Sequence, residues 1–159
     1  SVIRAGRLGL PLMVAIIGGS LSQFKPFFDL YRENYEFSGH DPAKMQVGIH
    51  SHGFFGENAR ELSDYYFPLY ADQMNRIGRT RGWMPYQRSQ FEAGKTKDGA
   101  LFIGEASEMV DKILYAHELF GLDRFAAHMD VGAPSHLQMM KSIELYGTKI
   151  VPEVRKALK

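Results

Sequence analysis

Cysteine is absent from all 159 residues of the sequence. This absence excludes disulfide bonds, a catalytic thiolate and a zinc–thiolate centre, because each of these needs a cysteine sulfur. It is compatible with a reducing compartment, and we expect a cytoplasmic protein.

The sequence also lacks an excess of one charge and a long hydrophobic run. Nineteen Lys and Arg residues face eighteen Asp and Glu residues, for a net charge of +1, so no basic stripe is available for a nucleic acid. The longest apolar run, residues 10–19, is half of the ~20 residues that a membrane-spanning helix needs. We expect neither nucleic acid nor membrane as a partner. No secretory signal is recognisable, and the start at Ser1, inside a helical pattern, suggests a processed or truncated chain.

Helical and strand patterns alternate along the sequence, which predicts an α/β fold with parallel strands covered by helices. Strand patterns occupy 12–17, 44–54 and 123–132, with a short extra one at 99–105. Helical patterns occupy 1–9, 23–37, 57–83, 105–121 and 135–159. We expect one domain over 1–159, with an irregular, polar insertion loop near 84–99.

Two of the predicted strands have one face that is entirely apolar. The other face begins with a small residue and continues with polar residues toward the carboxyl end of the strand. On the second face, Gly48 precedes His50 and His52, and Ala126 precedes His128 and Asp130. Ligands of β/α proteins bind at the carboxyl ends of parallel strands. The pattern therefore predicts that His50, His52, His128 and Asp130 line a substrate pocket.

The same four residues leave a metal site open as an alternative. Imidazoles and a carboxylate that converge at strand ends bind zinc or another divalent ion. That arrangement would make the protein a metal-dependent hydrolase. Histidines of a polar rim instead hydrogen-bond the backbone or the substrate, and we favour this metal-free interpretation.

Two further groups of residues are ambiguous. Gly18 and Gly19 follow the first strand and either hold an anion on their amides or form a tight turn into the next helix. From these residues alone we favour the turn. The aromatic residues between 65 and 70 form either an aromatic box or a helix packing face, and we favour the packing face.

Several stretches resemble one family, the luciferase-like flavin-dependent monooxygenases. "SVIRAGRLGLPLMVAIIGG" is similar to a helix–strand passage of that family, and "VGIHSHGFF" to one of its late strands. "IGEASEMVDKIL" resembles a common helix start of the family, with Ala106 where proline is usual. "DRFAAHMDVGAPSHLQMMKSIELYGTKIVPEVR" resembles its closing strand and helix. In order and spacing, the match to the C-terminal half of the family covers nearly the whole chain.

The resemblance implies that the chain is the C-terminal part of a (β/α)8 TIM-type barrel. It also implies reduced FMN, or a deazaflavin coenzyme, as the cofactor, with O2 and a small organic molecule as substrates. A serine of the family that contacts the flavin phosphate corresponds to Ser1, and we expect Ser1, Gly18 and Gly19 to bind the cofactor. No catalytic residue is assigned.

The resemblance further implies a flavin reductase as a possible partner. A chain with so few strands should form a homo-oligomer or pair with the missing half of the barrel, and should be inactive alone. A non-catalytic flavoprotein subunit of the same fold remains a second alternative.

Overall fold

Helices and parallel strands alternate along the chain in the computed structural model, which describes residues 1–159. The strands are β1 (Leu12–Ala15), β2 (Val47–Gly56), β3 (Phe102–Glu105) and β4 (Arg124–His128). The helices are α1 (Val2–Arg7), α2 (Lys25–Phe37), α3 (Ala59–Arg79), α4 (Arg88–Lys95), α5 (Ala106–Phe120), α6 (His136–Leu145) and α7 (Val151–Ala157). None of the helices is long and apolar enough to cross a membrane.

The sheet is built around β2, with which each of the other strands pairs in parallel. Both β1 and β4 pair with the first half of β2, so they lie on its opposite edges. The short β3 pairs with the last four residues of β2. The predicted α/β class with parallel strands, including the short extra strand, is therefore confirmed.

The apolar face of the sheet packs against the helices, as the alternation of residues predicts. Val47 and Ile49 of β2 belong to the main core, against which Phe125 of β4 packs. Phe28 of α2 and Phe120 of α5 stack in this core with ring centres 4.4 Å apart. We call this side of the sheet the helix-covered face and the opposite side, which carries His50, the inward face.

Helix α3 covers only the carboxyl-end part of the inward face. Asn58 begins this helix and accepts hydrogen bonds from the amides of Arg60 and Glu61. One helical turn apart, Tyr66 and Tyr70 are buried, and the ring of Tyr66 stacks on Phe54 of β2 at 4.4 Å. This contact forms the second, smaller core.

The segment expected to be irregular contains a helix, so that part of the prediction is wrong. Helix α4 occupies Arg88–Lys95 and begins with a capping box between Gln87 and Gln90. Its one fully buried side chain, Phe91, anchors the helix to Tyr70 at a ring distance of 5.7 Å. A single apolar anchor among polar residues leaves almost no periodic pattern in the sequence. Whether 84–99 is an insertion stays a prediction.

The predicted closing helix is continuous in backbone from α6 to α7 and contains one π-helical turn. This turn is the segment Tyr146–Ile150. Ser142 of α6 is fully buried and accepts a hydrogen bond of 2.8 Å from the amide of Phe55, which ties α6 to the carboxyl end of β2.

Candidate active site

Three histidines of the inward face form one cluster. His52 and His128 are register partners on β2 and β4, and their ring centres are 5.5 Å apart. His50 stacks on His128 with ring centres 5.1 Å apart. Asp130 lies two residues past the end of β4 and still reaches the cluster, because its Oδ1 lies 2.6 Å from Nε2 of His128. The structure therefore brings together all four of the residues predicted to line a pocket.

The histidine cluster is buried at its inner end and exposed to solvent at its outer end. His52 is only 6% exposed, and its Nδ1 lies 2.9 Å from the hydroxyl of Tyr70 on α3. His50 is half-buried, while Asp130 is largely exposed. The inner end can position a polar atom without water, and the outer end is open to an incoming molecule.

The titration properties of the inner end follow from this burial. The pKa of His52 is lowered to about 4, mainly by burial and also by the neighbouring His128 and His50, while Asp130 acts in the opposite direction. Burial also raises the pKa of Tyr70 well above its ordinary value. At neutral pH this end of the site consists of a neutral imidazole hydrogen-bonded to a neutral phenol.

Small residues form the floor of the inward face next to the histidines. Ala15 and Ala126 flank His50 in the sheet register. At Gly48 a Cβ atom would lie 2.9 Å from the carbonyl oxygen of Arg124 and 3.0 Å from the methyl group of Met13, so glycine is needed there. Small residues thus lie beside His50, and the side chain of Met13 lies over Gly48.

Gly18 and Gly19 form a turn whose following helix start is already capped. Gly19 has a φ of +79°, and a Cβ there would collide with the side-chain amide of Gln23. Asp98 accepts hydrogen bonds from the amide of Ser22 at 2.9 Å and from its hydroxyl at 2.6 Å. The carboxylate of Asp98 thus occupies the helix start that an anion would otherwise use. Cofactor binding by the two glycines stays a prediction.

Ser1 precedes α1, and its side chain makes no capping hydrogen bond. It lines a surface hollow together with Arg4, Arg7 and apolar residues of the same segment, and none of the histidines lines that hollow. The structure does not bring Ser1 and the histidine cluster into one cavity, and its role in cofactor binding also stays a prediction.

The contact between Tyr70 and His52 was not foreseen. Burial of Tyr66 and Tyr70 confirms the preference for a packing face, yet Tyr70 also serves the site. Tyr70 and His52 lie eighteen positions apart on different elements, so no local pattern links them.

A metal site needs several ligating side chains close together. No group of three or more His, Asp or Glu side chains is arranged to hold an ion.

The low pKa of His52 gives a testable pH dependence of stability. Between pH ~6.5 and ~4 the unfolded chain binds a proton at this residue and the folded chain does not, so folding weakens as the pH falls. We expect His52→Gln to remove about 3 kcal/mol of the pH-dependent loss of unfolding free energy in this range. Urea unfolding at a series of pH values measures it, with His136→Gln at an exposed position as the control. Equal pH slopes for the wild type and His52→Gln would contradict the buried, neutral imidazole.

Comparison with known proteins identifies solved structures that share the fold of this chain. No protein-family model and no curated protein matches the sequence. The monooxygenase RslO1 from Streptomyces bottropensis superposes on 96% of the chain with a TM-score of 0.76 and 16% identity. The oxygenating constituent of 3,6-diketocamphane monooxygenase from Pseudomonas putida, solved with FMN, covers 97% with a TM-score of 0.64 and 17% identity. The chain has the fold of the luciferase-like flavin-dependent monooxygenases.

A reductase is also among the solved structures that match the chain. The coenzyme F420-dependent tetrahydromethanopterin reductase from Methanopyrus kandleri matches 96% of the chain with a TM-score of 0.62 and 13% identity. The chain spans less than half of each of these proteins, namely 44%, 45% and 48% of their lengths. The resemblance of fold is therefore confirmed, and the chain corresponds to part of a larger luciferase-like barrel.

Proposed function

We propose that the chain is the C-terminal part of a flavin-dependent monooxygenase, which oxygenates a small organic substrate with reduced flavin and O2. The observation that carries the proposal is the cluster of His50, His52, His128 and Asp130 on the open inward face of a luciferase-like fold. The cluster lies at the carboxyl end of β4 and in the middle of β2, which continues for four residues beyond His52. Ligands of β/α proteins bind at the carboxyl ends of their strands, and the end of β4 is such a place.

The residues present fit one wall of a flavin site. Ala15 and Ala126 are small residues beside His50, next to imidazoles that can donate or accept hydrogen bonds, and we propose that a planar ring system packs there. Bound reduced flavin would supply the electrons that activate oxygen. Gly18, Gly19 and Ser1 are our candidates for contacts to its phosphate end.

The chain's own groups have separate roles in this proposal. Asp130 fixes the orientation of the His128 ring through the 2.6 Å contact, so that the ring presents its other edge to the site. His52 and Tyr70 form the buried inner wall, which excludes water from the reacting atoms. His50 is half-buried between Ala15 and Ala126, and we propose that its imidazole contacts the substrate. We do not assign a proton transfer to any one of them.

FMN is our preferred cofactor, and a deazaflavin coenzyme is the alternative. One structural neighbour is solved with FMN and another depends on coenzyme F420, so the fold serves both. The proposal predicts that the complete protein containing this chain quenches the fluorescence of FMN or of the deazaflavin on titration, with a micromolar Kd. Absence of binding for both at high micromolar protein would contradict it.

The rival proposal is a metal-dependent hydrolase, for which His50, His52, His128 and Asp130 are suitable by residue type, although no three of them are arranged to hold an ion. We predict less than a stoichiometric amount of zinc, manganese or iron in protein purified without a metal-affinity tag. Elemental analysis of the sample used for the flavin titration decides between the two. About one tightly bound equivalent of metal, lost in His128→Ala, would favour the hydrolase.

The remaining proposals concern the cellular setting. We propose a cytoplasmic enzyme that receives reduced flavin from a separate reductase. Because the chain spans less than half of its structural neighbours, we propose that it is inactive alone. A non-catalytic flavoprotein subunit would instead bind flavin and fail to consume O2 when the flavin is reduced.

A further inference from the structure

A cavity lies at the end of β4 that is farther from the histidine cluster. It encloses about 350 Å³ between the amino end of β4, α5, the π-helical turn and α7. Arg124, the first residue of β4, lines it, whereas His128 is the last residue of that strand. Phe125, which also lines it, packs against the core of the helix-covered face. The cavity therefore differs from the candidate active site both in its position along the strand and in the face of the sheet that it uses.

The walls of the cavity are mostly apolar. Five of the lining side chains are buried or half-buried: Ile113, Leu122, Phe125, Ile150 and Val154. Sites for small molecules typically have volumes of about 300–1,000 Å³ and apolar walls with a few polar groups. By its volume and its lining, this cavity suits the apolar part of a small molecule.

The π-helical turn shapes one of these walls. Its closing hydrogen bond runs from the amide of Val151 to the carbonyl of Tyr146, five residues earlier. In a regular α-helix, side chains five residues apart point about 140° away from each other, because each residue turns the helix by about 100°. The wider π-helical turn brings Tyr146 and Val151 onto the same side, and both line the cavity. Turns of this kind are frequent at functional sites.

The exposed part of the lining carries two guanidinium groups, those of Arg124 and Arg155. Neither takes part in a salt bridge. Burial raises the pKa of the Tyr146 phenol and Arg155 acts in the opposite direction, so this guanidinium lies near the phenol. Asp123, the one acidic residue of the lining, accepts a hydrogen bond of 2.8 Å from the amide of Val47. The cavity therefore combines apolar walls with unpaired positive charge.

We propose that this cavity binds a small amphiphilic carboxylate, with its apolar chain against Ile113 and Val154 and its carboxylate on Arg124 and Arg155. A guanidinium can donate two parallel hydrogen bonds to a carboxylate, and such charge-assisted bonds are roughly twice as strong as neutral ones. A cationic ligand would face two like charges, and an uncharged one would leave both arginines without a partner. The cavity shares no residue with the proposed flavin site, so a failure to bind flavin would leave the proposal standing.

Isothermal titration calorimetry of the complete protein that contains this chain measures the binding, with octanoate as the probe. We expect saturable octanoate binding with a submillimolar Kd. Octanol should bind about tenfold more weakly, because it lacks the charge, and octylammonium should not bind detectably. Absence of octanoate binding would overturn the proposal, since it would show that another segment of the complete protein fills the cavity. Equal affinities for octanoate and octanol would overturn it as well.

Proton NMR of the histidine rings shows where octanoate binds. His117 lines the cavity, so its ring protons should shift as octanoate is added. His50 and His128 lie on the inward face and should not shift. Shifts at His50 and His128 without a shift at His117 would place octanoate in the candidate active site and would overturn the proposal.

Variants separate the charge from the space of the cavity. Arg155→Gln should weaken octanoate binding about tenfold and leave octanol binding unchanged, because it removes the charge and not the apolar walls. Lys156→Gln is the matched control, since this lysine is the exposed neighbour of Arg155 and lies outside the lining; it should change octanoate binding by less than about twofold. Val151→Trp should fill the cavity and abolish the binding of octanoate and of octanol, with circular dichroism as the check of folding.

Equal octanoate affinities of Arg155→Gln and Lys156→Gln would contradict the role of the guanidinium. Unchanged binding by a folded Val151→Trp variant would show that octanoate binds elsewhere. Either result would overturn the proposal.

Discussion

Lys112→Ala should cost about 3–5 kcal/mol of unfolding free energy, among the largest losses expected from one substitution in this protein. The lysine is 2% exposed, and burial lowers its pKa to about 7. Its Nζ donates hydrogen bonds of 2.7 Å to the carbonyls of Thr96 and Leu101. Two further carbonyls at the end of α4 lie 3.3 Å away. Alanine would leave these carbonyls without a donor and open a cavity beside Phe102.

The measurement is urea unfolding followed by circular dichroism. Lys112→Met keeps the length of the side chain and removes only the donor, so it should lose about 2 kcal/mol, from unsatisfied carbonyls alone. Lys156→Ala in α7 is the control, because this lysine is exposed and its pair with Glu153 is long at 3.7 Å; it should change stability by less than ~0.5 kcal/mol. If Lys112→Ala resembles Lys156→Ala, the lysine does not hold the 94–101 segment.

Gly132→Ala should cost about 3 kcal/mol or more and should also loosen the inner end of the site. Gly132 has a φ of +81°, and a Cβ atom there would lie 2.6 Å from the carbonyl group of Leu69 in α3. Backbone atoms cannot rotate away, so α3 itself must move. Since the next residue of α3, Tyr70, holds His52, the pKa of His52 should rise toward its ordinary value.

A second glycine separates the steric clash from backbone strain. Gly82 has a φ of +69°, yet a Cβ there would meet nothing within 4 Å. Gly82→Ala should therefore cost only the strain of a left-handed residue, about 1 kcal/mol. Urea unfolding gives both losses, and proton NMR of the His52 ring reports the local effect. Equal losses at the two glycines would show that α3 is not packed against the loop after β4.

The faces of the strands could be predicted because a strand alternates its side chains with a period of two. Val47 and Ile49 had to lie opposite His50 and His52 whatever the fold, and the structure places them so. Helix α4 could not be predicted, because Phe91 is its only buried residue. The burial of Lys112 could have been predicted from the helical period, because Lys112 lies on the same face of α5 as Met109 and Ala116.

The sequence predicts the site residues that lie on the strands and does not predict the contribution of helix α3. His128 and Asp130 were recognised from their spacing, but the fold rather than the spacing brings His50 and His128 face to face. Tyr70 reaches His52 because α3 turns back over the sheet, and local sequence does not encode that path. Helix packing thus decides which histidine is buried and neutral and which remains open.

The most direct test of the flavin proposal is proton NMR of this chain's six histidine rings, observed while FMN is added to the complete protein that contains the chain. A flavin ring stacked on the inward face would shift the ring protons of His50 and His128 through its aromatic ring current. His40, which contacts the carbonyl of Arg7, and His117, which contacts that of Leu122, lie outside that face and should not move. Saturating shifts at His50 and His128 alone are the predicted result. Binding without shifts there, or with shifts at His40 and His117 instead, would contradict the account.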